Sequence, residues 1–370
     1  MDFSYSDEQQ AAIELARQIL GDHSAPQRLR ALEQAGGPRF DRALFATLAE
    51  AGLLAAGLPE ADGGAGLGFL TVAGIVEQAG RTVAAVPLLE TTVLGALPLA
   101  EFGSAAQRER WLPRAARGEA VLTAALVEPH REPARPETRA VRDGAGFRLE
   151  GRKLPVPAGA IADLALVPAA LEDGTRVFLV ESGTAGVTHT ALRTTSGQPE
   201  SRLELDGARG EPLGEAGRGA EIVAWIELRA TAALCALATG ICAEALRLTA
   251  EYTKTRKQFD QPIATFQAVG QRAADAFIDT EAVRLTALQA AWRIDAGLPA
   301  EAAVAAAKVW AAQGGSRVVR AAQHLHGGVG VDREYPLHRY YLWARQLELT
   351  LGGATQQLRR LGRLIAEGAA

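Results

Sequence analysis

Apolar positions recur every three to four residues over the first hundred residues, every second residue from about 119 to 214, and at the helical spacing again to the end. Ser6 or Asp7 can cap a first helix through Ile13, Leu15 and Ile19, and Gly36 with Gly37 breaks the pattern before a second helix begins near Asp41. ADGGAG is a turn. A third helix with the stripe Val72, Ile75 and Val76, and a fourth after Pro87, complete a small bundle. The segments AVLTAALVEP, GFRLEGRKLPV, ADLALVPAA, TRVFLVES, GVTHTALRT and SRLELDG are short, alternating or continuously apolar, and bounded by Gly, Pro or Asp, which predicts a compact β-domain. After Gly217 four or five long helical segments with short loops suit an antiparallel bundle. The expected architecture is mainly α with a central β-domain: an N-terminal helical domain over 1–117, a middle β-barrel or sandwich over 118–215, and a C-terminal four-helix bundle over 216–370.

Two helical stripes meet at YTKTRKQFDQPIATFQAV. The first runs through Ile222, Ile226, Ala230, Leu234, Leu237, Ile241, Ala245 and Leu248, and the second through Phe266, Val269, Ala273, Phe277, Ile278, Ala282 and Leu285. The spacing predicts that both stripes face inward, with Pro262 at the boundary.

Composition narrows the partners. Hydrophobic residues make up 48 % of the chain and aromatics only 5 %, so the core must be filled by Ala, Leu, Val and Ile. A net charge of −4 points to neither nucleic acid nor a membrane surface. Cys235 and Cys242, the two cysteines, lie seven apart on one helix and are too distant to bridge, so they read as core thiols. No charged-then-apolar leader opens the chain, and no uncharged run approaches the roughly 20 residues of a membrane span, so a cytoplasmic protein is expected. No metal site is expected.

At the joint, Arg256, Lys257, Gln258 and Phe259 are followed by Gln267. A guanidinium fork holds phosphate oxygens, a ring stacks and an amide reads a ribose or base edge, which suits an adenosine diphosphate moiety. A solvated basic helix corner explains the same residues equally well.

The run R-x-x-F-x-x-P-I-x-x-F-Q resembles the signature of the acyl-CoA dehydrogenase family. MDFSYSDEQQAAI resembles the family's first helix, LPEADGGAGLG its P-x-x-x-G-G-x-G turn, and HLHGGVGVDREYPLHRYY its glycine-rich segment, so the likeness covers nearly the whole chain. It implies FAD as cofactor, an acyl-CoA substrate and an electron-transferring flavoprotein as acceptor. It further implies that Arg256, Gln258, Phe259 and Gln267 reach the adenosine diphosphate of a flavin across a subunit interface. It implies too that Gln323, His324, Gly327 and Gly328 close over that moiety, with His324 at the place of the family's amide and Gln323 one place upstream.

The residues serving the chain's own flavin ring and substrate depart from the family pattern. The family's T-E-P-G-x-G-S-D run reads LVEPHREPAR, keeping Glu128 and Pro129, and its W-I-T-N run reads LPVPAGA, with Pro155 where the aromatic belongs. The two positions for the catalytic glutamate fall on Ala230 and between Leu351 and Gly353, none of which accepts a proton. Glu227 and Glu348 lie about one helical turn from them and are the candidate bases, although a solvated or ion-paired surface glutamate is the commoner case. Outward-donated residues kept and inward-serving ones lost is the composition expected of one subunit in a heteromer. The C-terminal run is similar to subunits of actinobacterial sterol side-chain dehydrogenases, implying a bulky or steroid-like acyl group. Two alternatives stay open: a self-sufficient homomer using Glu227 or Glu348, and a catalytically silent scaffold. Arg317 and Arg320, three apart, could hold a CoA phosphate or form an interhelix ion pair.

Overall fold

The computed structural model describes residues 3–144 and 146–368. Helices α1 (Asp7–His23), α2 (Pro26–Gln34), α3 (Arg42–Glu50), α4 (Gly68–Arg81), α5 (Leu97–Phe102) and α6 (Ala105–Ala116) come first. Strands β1 (Leu122–Ala124), β2 (Arg139–Asp143), β3 (Gly146–Val156), β4 (Leu164–Leu171), β5 (Gly174–Glu181), β6 (Val187–Ala191) and β7 (Ser201–Leu213) follow. The chain then continues through α7 (Gly219–Thr255), the hairpin β8 (Lys257–Gln258) and β9 (Gln261–Pro262), α8 (Gln267–Asp295), α9 (Glu301–His326), α10 (Leu337–Leu347) and α11 (Ala354–Ala366). Helices, strands and helices succeed one another in the expected order. The expected caps also form: Ser6 and Gln9 exchange a reciprocal capping box at α1, and Asp41 accepts from the Leu44 amide at α3.

The chain divides into two compact units, one formed by Leu32–Gly68 and Ala85–Ala230, the other by residues 1–31, 69–84 and 231–370. In the first unit the strands run β1-β4-β2-β3-β7-β5, and β5 pairs back onto β4, so the sheet closes on itself, with β6 added along β7. The closed circuit runs β4-β2-β3-β7-β5 with β1 and β6 as its edges, and the inward residues Phe147, Leu149, Val167, Phe178, Val180 and Leu203 fill the interior. β2 was not among the expected strands. Only Ala140 of its five residues is buried, so it carries almost no apolar signal. The helix after Pro87 widens into a π segment over Glu90–Ala96, where the Leu97 amide bonds Thr92. Pro98 has no N–H to give to Leu94, so the regular i to i−4 ladder cannot continue through it.

In the second unit, α4 and α7 cross at glycines. A Cβ on Gly80 would sit 2.1 Å from the Leu237 carbonyl oxygen, and one on Gly240 would sit 2.0 Å from that of Glu77. Gly240→Ala is expected to force these helices apart and to cost about 1–3 kcal/mol, read as a lower denaturation midpoint at unchanged slope.

The first predicted stripe is buried as expected, with Ile222, Ile226, Ala230, Ile241 and Ala245 all at 0 % exposure. The second is not. Phe277, Ile278 and Leu285 are exposed by 57, 63 and 46 %, and α8 buries Ala276, Thr280, Val283, Ala287, Ala290, Ala291 and Ile294 instead. Small residues allow close helix packing, and the large side chains are left pointing away from it. Helix α7 is long and apolar enough to cross a membrane, but 72 % of its most apolar stretch is buried within the chain, as in a core helix.

Candidate cofactor-binding site

The joint lies in the second unit and is built from three chain ends. α7 stops at Thr255, and the Arg256 amide still bonds the Tyr252 carbonyl at 2.8 Å. The chain reverses through the hairpin β8–β9, where the Ile263 amide returns to the Arg256 carbonyl at 2.8 Å. Its two turn residues, Phe259 and Asp260, have φ of 54° and 63°, left-handed values that suit Asn or Gly and cost a ring-bearing residue on the order of 1 kcal/mol. That turn holds Phe259 at 87 % exposure, with an edge contact to Phe266 at 6.2 Å.

Facing the joint, α9 ends at His326, and Gly327, with φ of 61°, starts the turn. Between them opens a cavity of about 580 Å³ lined by Tyr252, Arg256, Gln258, Ile263, His324, Leu325, His326, Gly327, Gly328, Val329 and Asp332. The structure thus gathers Arg256, Gln258, His324, Gly327 and Gly328. Phe259, Gln267 and Gln323 do not line the cavity; Gln323 is half-buried, with its carbonyl 2.7 Å from where a Cβ on Gly330 would lie. Of the two residues that could fill the amide's place, only His324 lines this cavity. Both α7 and α9 present their C-terminal ends here, whose partial negative charge repels an anion. Any phosphate must therefore be held by Arg256, His324 and turn amides.

Sequence reasoning missed Tyr252 and His326. Their rings stack at 4.4 Å and 22°, and the signal for them was position alone: one turn before Arg256 and directly before Gly327. Gly327 and Gly328 would carry a Cβ into open space, so the rim stays low enough for a group as bulky as a nucleotide to approach the backbone. With a guanidinium, an amide and an imidazole on the lining, the residues present fit an adenosine diphosphate moiety.

A second cavity of about 590 Å³ lies between α8 and α9, lined in part by Arg272, Arg317, Arg320 and His324. Arg317 is tied to Asp279 by bonds of 2.8 and 2.5 Å, the interhelix ion pair foreseen as one of its two roles.

Glu128, kept from the flavin-ring loop, is buried in the barrel unit. Its Oε1 accepts from Lys153 Nζ at 2.6 Å, Thr138 Oγ1 at 2.6 Å and the Thr138 amide at 3.1 Å. Burial alone would raise the carboxyl's pKa, but the bonds from Lys153 and Thr138 hold it below its ordinary range. Burial lowers Lys153 to about 8 despite the opposing pull of Glu128. Both cysteines are buried and pushed up to about 12, so neither is a nucleophile at neutral pH.

The two places that the family resemblance assigns to the base differ in their surroundings. Ala230 is fully buried, and Glu227 is half-buried one turn earlier. At the other position Leu351 and Gly352 have φ of 52° and 95°, and a Cβ on Gly352 would meet Gln356 Oε1 and Gln357 Nε2, each at 3.1 Å. Gln357 donates to the Leu351 carbonyl at 2.9 Å, and the buried Lys308 donates to the Leu347 carbonyl at 2.7 Å, fixing the turn from both sides. Glu348 is held in an ion pair with Arg345, which also donates to Ser316 Oγ at 2.8 Å.

Two family descriptions match this chain: the acyl-CoA dehydrogenase N-terminal domain over residues 6–119 and the C-terminal domain over 217–366. The acyl-CoA dehydrogenase FadE27 of Mycobacterium tuberculosis is 42 % identical over 99 % of both chains. The chain belongs to the acyl-CoA dehydrogenase family. Acyl-CoA dehydrogenases are oxidoreductases, and their cofactor is FAD. Among solved structures, a chain of the Tcur3481-Tcur3483 steroid ACAD variant superposes with a TM-score of 0.92 at 44 % identity, covering 98 % of this chain and 99 % of that one. A chain of the ChsE4-ChsE5 complex from Mycobacterium tuberculosis gives 0.93 at 43 % identity, covering 99 % of each.

Proposed function

We propose that this chain is one subunit of a heteromeric, FAD-dependent acyl-CoA dehydrogenase that desaturates a bulky, steroid-like acyl-CoA, with a homologous partner supplying the catalytic base. The observation that carries this reading is the contrast within the chain: a cavity suited to adenosine diphosphate is assembled, while the positions that the family resemblance assigns to the base, Ala230 and Leu351 to Gly353, hold no carboxylate. Arg256, Gln258 and His324 would hold the diphosphate half, with Phe259 reaching outward toward the neighbour. FAD, when bound, supplies the hydride acceptor. This chain's part is to bind and orient it. Relatives described as two-chain complexes support the pairing, and the exposed Phe277, Ile278 and Leu285 give a partner an apolar face to cover. The assembly is placed in the cytoplasm, with an electron-transferring flavoprotein as acceptor. Native mass spectrometry of the chain expressed alone and with a homologous neighbour tests the reading: flavin is expected only in the mixed assembly, and full occupancy of the lone chain would overturn it.

A self-sufficient homomer would need Glu227 or Glu348 as base. Losing a general base lowers kcat on the order of 10²–10⁴-fold. Glu348→Gln and Glu227→Gln are each expected to change kcat of the mixed assembly by less than about threefold, since neither is placed at a base position.

A further inference from the structure

Beneath the cavity, the imidazole of His326 joins its two walls. On one side the ring stacks on Tyr252, one helical turn before Arg256. On the other, His326 Nε2 lies 3.1 Å from the Tyr335 hydroxyl, which follows the Gly327–Val331 turn. His326 Nδ1 lies 2.8 Å from the Ala322 carbonyl. A carbonyl only accepts, so Nδ1 carries the proton, and in the neutral ring Nε2 accepts from the Tyr335 hydroxyl. Both ring nitrogens are then used. Tyr335 does not line the cavity.

We propose that Tyr335 and His326 form a positioning pair that sets the gap between the Arg256 wall and the Gly327–Gly328 wall, and through it the cavity's affinity for the nucleotide. This deepens the proposed FAD role of the cavity and rests on it. The bond spans the turn, so losing it frees the Gly327–Val331 segment from the stacked pair that backs Arg256.

The test is FAD affinity of the mixed assembly at pH 8, in wild type, His326→Phe, Tyr335→Phe and His326→Gln. The two phenylalanine variants keep an aromatic ring and lose the bond, whereas a glutamine amide can still meet the Tyr335 hydroxyl. Each phenylalanine variant is expected to bind FAD about 3- to 10-fold more weakly, the worth of one buried hydrogen bond, with the double variant no more weakly than His326→Phe alone and His326→Gln within about twofold of wild type. Phenylalanine variants indistinguishable from wild type, or His326→Gln as weak as His326→Phe, overturn the positioning pair. Absence of FAD from the wild-type assembly overturns the parent reading and this one with it.

Discussion

Arg256→Ala is expected to strip FAD from the mixed assembly. The guanidinium is the cavity's strongest donor, and a charge-assisted pair to a diphosphate is worth about 1.5–3 kcal/mol, or roughly 10- to 150-fold in Kd. The two helix C-termini that meet at the cavity sharpen the effect, because their negative ends then face the phosphates uncompensated. Equilibrium dialysis of the assembly against flavin should show the loss while the assembly itself stays intact by native mass spectrometry. Unchanged flavin content would favour a silent scaffold, for which this arginine is only a solvated helix corner. Because Arg256 sits on an exposed hairpin, little effect on folding is expected.

Lys153→Met should produce the largest loss of stability. The ammonium is 0 % exposed and its partner Glu128 only 4 %, and removing one member of such a pair strands the other charge, at a cost of about 3–5 kcal/mol. The double change Glu128→Gln with Lys153→Met should recover most of that in denaturant titrations, because no buried charge remains. The pH dependence should also reverse. In the wild type the Glu128 carboxyl lies below its ordinary 4.5, so its contribution is complete above about pH 4.5 and is lost in acid. Without Lys153, burial is left to push that carboxyl upward, and the variant should instead gain stability as the pH is lowered.

How far the sequence carried depended on the kind of signal. Long apolar stripes and cap residues placed α1, α3, α4 and α7, because both depend on neighbours along the chain. Strand β2 escaped, since four of its five residues face solvent and their hydrogen bonds, not their side chains, keep them in the barrel. The inward reading of α8 failed at Phe277 and Ile278 because periodicity shows that a helix has an apolar face but not which chain will cover it. The cavity's charged and glycine residues were legible as types that bind phosphates. Tyr252, His326 and Tyr335 were not: their roles arise only where the ends of α7 and α9 come together, and each alone looks like an ordinary core or turn residue.

The left-handed turn at Gly352 bears on which substitutions the segment tolerates. A residue with a Cβ at Gly352 is strained by the backbone and needs Gln356 Oε1 and Gln357 Nε2, each 3.1 Å away, to give way. At Gly353, whose φ is −75°, a Cβ meets nothing closer than 3.5 Å, so the neighbouring position is the one at which the segment can gain a side chain without rebuilding the turn.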